Sequence, residues 1–156
     1  NTFDIVDGKL AEIKHNYAQD KISQVLEENP SVEVVIDLHR DGVPDDKHLV
    51  TDVNGKPTAK IMFFKIEPHQ PERDIEYLPN PYIQDNLAFS LQLALQAKQY
   101  YPDWLRTIYL RGYRYNLHLR PKALLVECGA QTNTVEEEMN AMEPLADVLN
   151  KVLKGE

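Results

Sequence analysis

The sequence predicts an α/β fold, a three-layer α/β/α sandwich around a mixed, partly parallel sheet. Three observations carry that expectation. Short apolar runs at 32–38, 107–111 and 122–127 alternate with longer stretches of helical period. Asn54-Gly55 lies between two strand-like runs, the dipeptide that a tight hairpin demands because both turn residues need positive φ. The 156 residues are enough for one domain with a sizeable core and too few for two comfortable ones, so residues 1–156 are read as a single domain.

Taken in order, residues 1–12 carry Asp7-Gly8 as a turn signal and read as an ordered arm or loop. From Asn16 to Glu28, Ala18, Ile22, Val25 and Leu26 recur at helical spacing, and Asn29-Pro30 ends the helix because proline drives the preceding residue out of helical geometry. Residues 32–38 hold Val32, Val34, Val35, Ile36 and Leu38 without clean alternation, the pattern of a strand buried on both faces. Residues 48–53 and 58–66 pair antiparallel about Asn54-Gly55. The stretch 67–82 has four prolines and reads as a loop. A long helix over 84–101 turns Leu87, Leu91, Ala94, Leu95 and Tyr101 inward. Strands follow at 107–111 and 122–127. Asn133 or Thr134 caps a last helix, with Glu136 or Glu137 placed for the reciprocal contact, and Pro144 is expected to kink or split it.

Charge narrows the partners. With 17 basic and 25 acidic residues the net charge is −8 and the pI near 5.1, which speaks against nucleic acid or anionic lipid as the main partner. The one basic concentration, Arg106, Arg111, Arg114, Arg120 and Lys122, suits an anionic ligand in a single cleft. A single cysteine, Cys128, excludes an internal disulfide framework, and no window approaches a membrane span.

In sheets of this kind ligands sit outside the carboxyl ends of the strands. Two strands end there in groups that resist burial: "VEVVIDLHRDG" runs into His39, Arg40 and Asp41, and "KALLVECGAQTN" into Glu127. His39 is either an inert hydrogen-bonded histidine or a ligand oriented by Asp37, Arg40 and Asp41. Glu127 is either glue for a nearby arginine or a desolvated carboxylate of raised pKa able to pass a proton. Cys128 faces the other side of the strand and reads as packing. The tripeptide "HRD" is no kinase loop, since Asp46 stands where such a loop needs asparagine. His15, His48, His69 and His118 read as surface or capping residues, and no self-sufficient zinc motif is present.

"VVIDLHRDG", "HLVTDVNGKPTAKIMFF", "DIEYLPNPYIQDNLAFSLQLALQA" and "RGYRYNLHLRPKALLVECGAQTNTVEEEMNAMEPLADVL" together resemble the catalytic domain of the stage II sporulation protein P family, over essentially the whole chain. More distantly, the two strand ends resemble zinc-dependent N-acetylmuramoyl-L-alanine amidases. The resemblance implies an amidase scaffold of phosphorylase/hydrolase type whose first strand lies upstream of Asn1. It implies zinc held by His39, with two further ligands on that upstream strand, and Glu127 as the catalytic glutamate. Hydrolysis of the bond between the muramic acid lactyl group and L-alanine would follow, with a stem-peptide endopeptidase activity also associated with the family. Arg40, Asp41, Arg114 and Asn116 are candidates for substrate contact or support of the site, from closeness to the strand ends. The resemblance further implies an extracytoplasmic location, a membrane anchor outside this chain, peptidoglycan as substrate and stage II sporulation protein D as a partner hydrolase.

A metal-free binding module on the same scaffold is the competing expectation. This chain alone is expected to be inactive for want of two ligands. A sheet lacking its inner strand also exposes an edge, which invites a dimer, strand exchange or residues 1–12 into the gap.

Overall fold

The computed structural model describes residues 19–66, 80–107, 109–111 and 116–155. By internal contacts the chain forms two compact units, Asn1–Glu33 and Val34–Glu156. In the first, residues 19–28 are helical (α1), with Leu26 buried and Val25 exposed. The expected stop is present: the backbone N–H and side-chain amide of Asn29 both donate to Val25 O, at 3.0 and 2.8 Å, and Pro30 follows. The expected starting residues 16–18, and the arm 1–12, lie outside the described residues, as does 67–79 of the proline-rich loop.

The second unit runs β1 (Val35–Asp41), β2 (Val50–Val53), β3 (Lys56–Ala59), β4 (Ile61–Ile66), α2 (Ile83–Tyr100), β5 (Tyr109–Arg111), β6 (Ala123–Ala130) and α3 (Val135–Lys154). Four strands form one sheet in the order β1-β6-β4-β5. β1 and β6 are parallel, β4 is antiparallel to β6, and β5 is parallel to β4. The mixed, partly parallel α/β sheet predicted from the sequence is what the chain forms.

The hairpin is shorter than expected. β2 and β3 pair about Asn54 (φ 56°) and Gly55 (φ 80°), both left-handed as the two-residue turn requires, and Asp52 Oδ1 accepts the Gly55 N–H at 2.9 Å. The second arm then leaves its partner at Lys60, whose N–H goes to Leu49 O and whose carbonyl accepts the Gly129 N–H. From Ile61 on the chain belongs to the main sheet. Trp104, fully buried, seals the junction by donating its indole N–H to Ala59 O at 3.0 Å.

Alternation divides the sheet's faces. Ile61, Phe63, Leu124 and Val126 form one core with Phe89, Leu93 and Ala97 of α2, Leu145 and Val148 of α3, and Trp104. Of the helical layers expected, the described residues of this unit therefore furnish one, with both helices on this face. α2 buries Asn86, Phe89, Ser90, Leu93, Ala94 and Ala97; of the expected stripe Ala94 is thus inside, while Leu91 and Leu95 are exposed contrary to expectation. The polar positions are the reason: Asn86 is spent internally, donating to Leu117 O and accepting from Ala123 N.

β1 also differs from expectation. It begins three residues later and, among the described residues, is an edge strand, with Ile36 and Leu38 38% and 50% exposed instead of buried on both faces. α3 is unbroken across Pro144, which removes one backbone donor, a loss of about 3 kcal/mol. The burial of Ala141, Leu145 and Val148 and a complete capping box between Thr134 and Glu137 offset that loss.

Candidate active site

β1 and β6, being parallel, bring their carboxyl ends to one edge, and the register sets His39 opposite Glu127. Residues directly opposite on adjacent strands point to the same face. Met62 lies across from Glu127 on the other side, so the glutamate is flanked by β1 and β4. Between His39 and Asp41 the register slips by one: Asp41 pairs with Ala130, and β6 carries the extra residue near Gly129, whose φ is +59°. The bulge ends the regular ladder at the site.

On this face Asp37 Oδ1 lies 2.6 Å from His39 Nε2. Arg106, from the segment after α2, reaches across and donates to Asp41 Oδ2 at 2.7 Å, while Asp41 Oδ1 accepts the Gly42 N–H. Glu127 sits among them half-buried, and its Oε2 is buried with no hydrogen-bond partner. Burial pushes the Glu127 carboxyl above its ordinary range; Asp41 and Asp37 push it further, and His39 and Arg106 pull it partly back. A carboxyl so placed holds a proton more readily than an ordinary glutamate, which suits a group that takes a proton and gives it back.

The structure brings together Asp37, His39, Asp41 and Glu127 among the residues read from the sequence, and adds Arg106. Arg40 departs. Strand alternation turns it to the helical face, where its Nη1 meets Glu138 Oε1 at 3.4 Å. Asn116 departs too: it opens the turn 116–119, and the neighbouring Leu117 is tied through Asn86 to Ala123, at the amino end of β6. Arg114 lies outside the described residues, as do His15 and His69. Arg106 was legible only as one of a basic cluster, because its position depends on the Ile61–Leu105 bridge that no local pattern reveals.

Cys128 is the packed residue expected, against Ala59 and Ala141, its thiol pushed up to about 11 by burial. His48 also has a structural task. It donates to Glu137 Oε2 at 2.8 Å, and the same oxygen accepts from Asn133 Nδ2 and the Thr134 N–H. Burial pushes the Glu137 carboxyl up, but these hydrogen bonds outweigh it and hold it below its ordinary range.

A mixed α/β domain with a histidine and a desolvated glutamate side by side at parallel strand ends is the class these features define. The chain matches the family model Stage II sporulation protein P (SpoIIP) over residues 6–150, and it belongs to that family. It is similar to the stage II sporulation protein P of Bacillus subtilis (strain 168), 23% identical over 158 residues that cover 94% of this chain and 36% of the relative. The chain thus spans about a third of that relative's length. Among solved structures it is similar to the apo form of the N-acetylmuramyl-L-alanine amidase Ami1 from Mycobacterium abscessus. That match has 19% identity and a TM-score of 0.43, over 84% of this chain and 61% of the other.

Proposed function

We propose that this chain carries part of the active site of a peptidoglycan hydrolase acting in sporulation, an N-acetylmuramoyl-L-alanine amidase that depends on zinc. The observation that supports it best is the buried, unpartnered Oε2 of Glu127, directly across the ladder from His39. Most buried side-chain oxygens are hydrogen-bonded, so one left open beside a histidine supports a group that handles a proton. Glu127 takes a proton from the attacking water and returns it to the leaving amine. Arg106, steadied by Asp41, balances the surrounding carboxylates.

Zinc fits the described residues in part. His39 offers one imidazole nitrogen while Asp37 holds the other, the arrangement that orients metal-binding histidines. A catalytic zinc takes about three protein ligands, and no group of three or more His, Cys, Asp or Glu among the described residues is arranged to hold a metal. The remaining donors, in this proposal, lie outside those residues. When bound, zinc supplies Lewis acidity toward water and carbonyl.

Endopeptidase action on the stem peptide, cooperation with stage II sporulation protein D, and an extracytoplasmic place secured by an anchor outside this chain belong to the same proposal. No helix among the described residues is long and apolar enough to cross a membrane. The edge of β1, unpaired among the described residues, is in the same reading where a further strand pairs, from upstream sequence or from a second copy.

The test compares zinc content and muropeptide release for this chain and for the chain extended upstream of Asn1. The extended protein is expected to hold about one zinc per chain and release stem peptides. Glu127→Gln in that protein should keep the metal and stop release. An extended protein that holds no zinc and releases nothing sinks the hydrolase reading and leaves a binding module.

A further inference from the structure

The segment after Glu127 is more than a strand end. Three successive side chains, Gln131, Thr132 and Asn133, each bind the main chain of residues 43–49, which leave β1 directly behind Asp41. Gln131 uses both ends of its amide on Val43: Oε1 accepts the Val43 N–H at 3.0 Å and Nε2 donates to the Val43 carbonyl. Thr132 Oγ1 donates to Lys47 O at 2.6 Å, and Asn133 Nδ2 donates to Leu49 O at 3.1 Å. Asn133 is itself fixed, its Oδ1 accepting the Ala130 N–H at 2.9 Å. A Cβ at Gly129 would come within 2.8 Å of that same Oδ1, so the backbone passes only because the residue is glycine.

Exposed side-chain hydrogen bonds contribute little net stability, because water competes for both partners. Gln131 is exposed and Thr132 only half-buried, yet their polar groups are spent on one loop's backbone. The effect is geometric. From the turn directly after the strand that carries Glu127, they set where the chain emerges from β1, two residues past Asp41 and four past His39.

We propose that Gln131 and Thr132 are positioning residues, holding the loop 43–47 so that His39 and Asp41 keep their places against Glu127. The proposal rests on the hydrolase reading for its catalytic consequence and on the bonds above for its structural one. Their grip is on main-chain atoms, so the side chains of Pro44, Asp45 and Asp46 stay exposed.

The test uses Gln131→Ala combined with Thr132→Val in the full-length protein, with Thr132→Ser as the variant that keeps the hydroxyl. The double variant is expected to lose roughly ten-fold in kcat with KM changed by less than about two-fold, since misplacing reacting groups slows chemistry more than binding. Exchange of the Val43 amide hydrogen should quicken roughly ten-fold. The melting temperature should move by less than about 2 °C, and Thr132→Ser should match the parent. Unchanged Val43 exchange overturns the proposal, as does faster exchange with kcat intact. If the parent releases no muropeptide, the hydrolase reading falls separately. The clamp is then decided by the Arg40 and Asp41 amides, whose faster exchange in the double variant upholds it and whose unchanged exchange overturns it.

Discussion

Glu127 and Glu137 lie ten residues apart, one near the end of β6 and the other in the first turn of α3, and each has a histidine close by. Glu137 is held by His48, Asn133 and the Thr134 N–H together, and its ionised form is favoured. Glu127 has a buried oxygen with no donor, its neighbour His39 being turned to Asp37, and its carboxyl is pushed above its ordinary range. Burial acts on both in the same direction. What separates them is hydrogen bonding, and with it the capacity to exchange a proton or to anchor a helix.

The largest expected effect comes from Glu127→Gln, which should cut turnover by about 10²- to 10⁴-fold, measured as muropeptide release by the extended protein. Stability should move the other way. A folded pKa raised above the unfolded value means the fold is favoured at low pH and loses that contribution as pH rises through the folded pKa. The glutamine variant should therefore melt about 1–2 °C higher at pH 7 and no higher near pH 4. A lower melting temperature at pH 7 would make Glu127 a structural residue like its counterpart.

Next in size is Gly129→Ala. Left-handed backbone and the clash with Asn133 should cost about 2–3 kcal/mol in urea unfolding. An unchanged midpoint would mean that the Asn133 anchor is not rigid. Glu137→Gln should cost about 1–2 kcal/mol at pH 7, from the weakened cap and the altered buried network. Because the folded pKa is lowered, that contribution exists above the unfolded carboxylate pKa and disappears as pH falls through the folded one. The gap between variant and parent should close in acid; a gap of equal size at both ends would contradict the charge argument.

The smallest effect sharpens the contrast most. The acidic limb of kcat/KM should lie above the ordinary carboxylate range. Asp41→Asn should move it to lower pH, and Arg106→Gln to higher pH, following the sign each neighbour exerts on Glu127. A limb indifferent to both would remove Glu127 as the titrating group.

Much of this was legible locally. The Asn54-Gly55 turn, the Thr134 cap with Glu137 and the two strand ends all rest on signals within a few residues. His39 and Glu127 were placed by a general rule about strand ends, and the register agrees with it. What local signals could not supply was long-range. The change of partner at Lys60 depends on Gly129, and the place of Arg106 depends on Ile61. α2 set Asn86 and Ser90 inside while exposing Leu91 and Leu95, so of the predicted stripe Ala94 is buried and Tyr101 packs on the core but those two leucines do not. Arg40 was a nearer miss, since strand alternation alone separates it from His39.

The order β1-β6-β4-β5 puts the last strand of the chain second in the sheet, between the first and the fourth. During synthesis β1 and β4 therefore emerge without the strand that lies between them, and β1 waits for about ninety residues before β6 can pair with it. Such remote pairing makes folding slow and leaves intermediates open to wrong partners. Until ribosomes release residue 130, the histidine and glutamate have no shared edge, so nascent chains carry no assembled site.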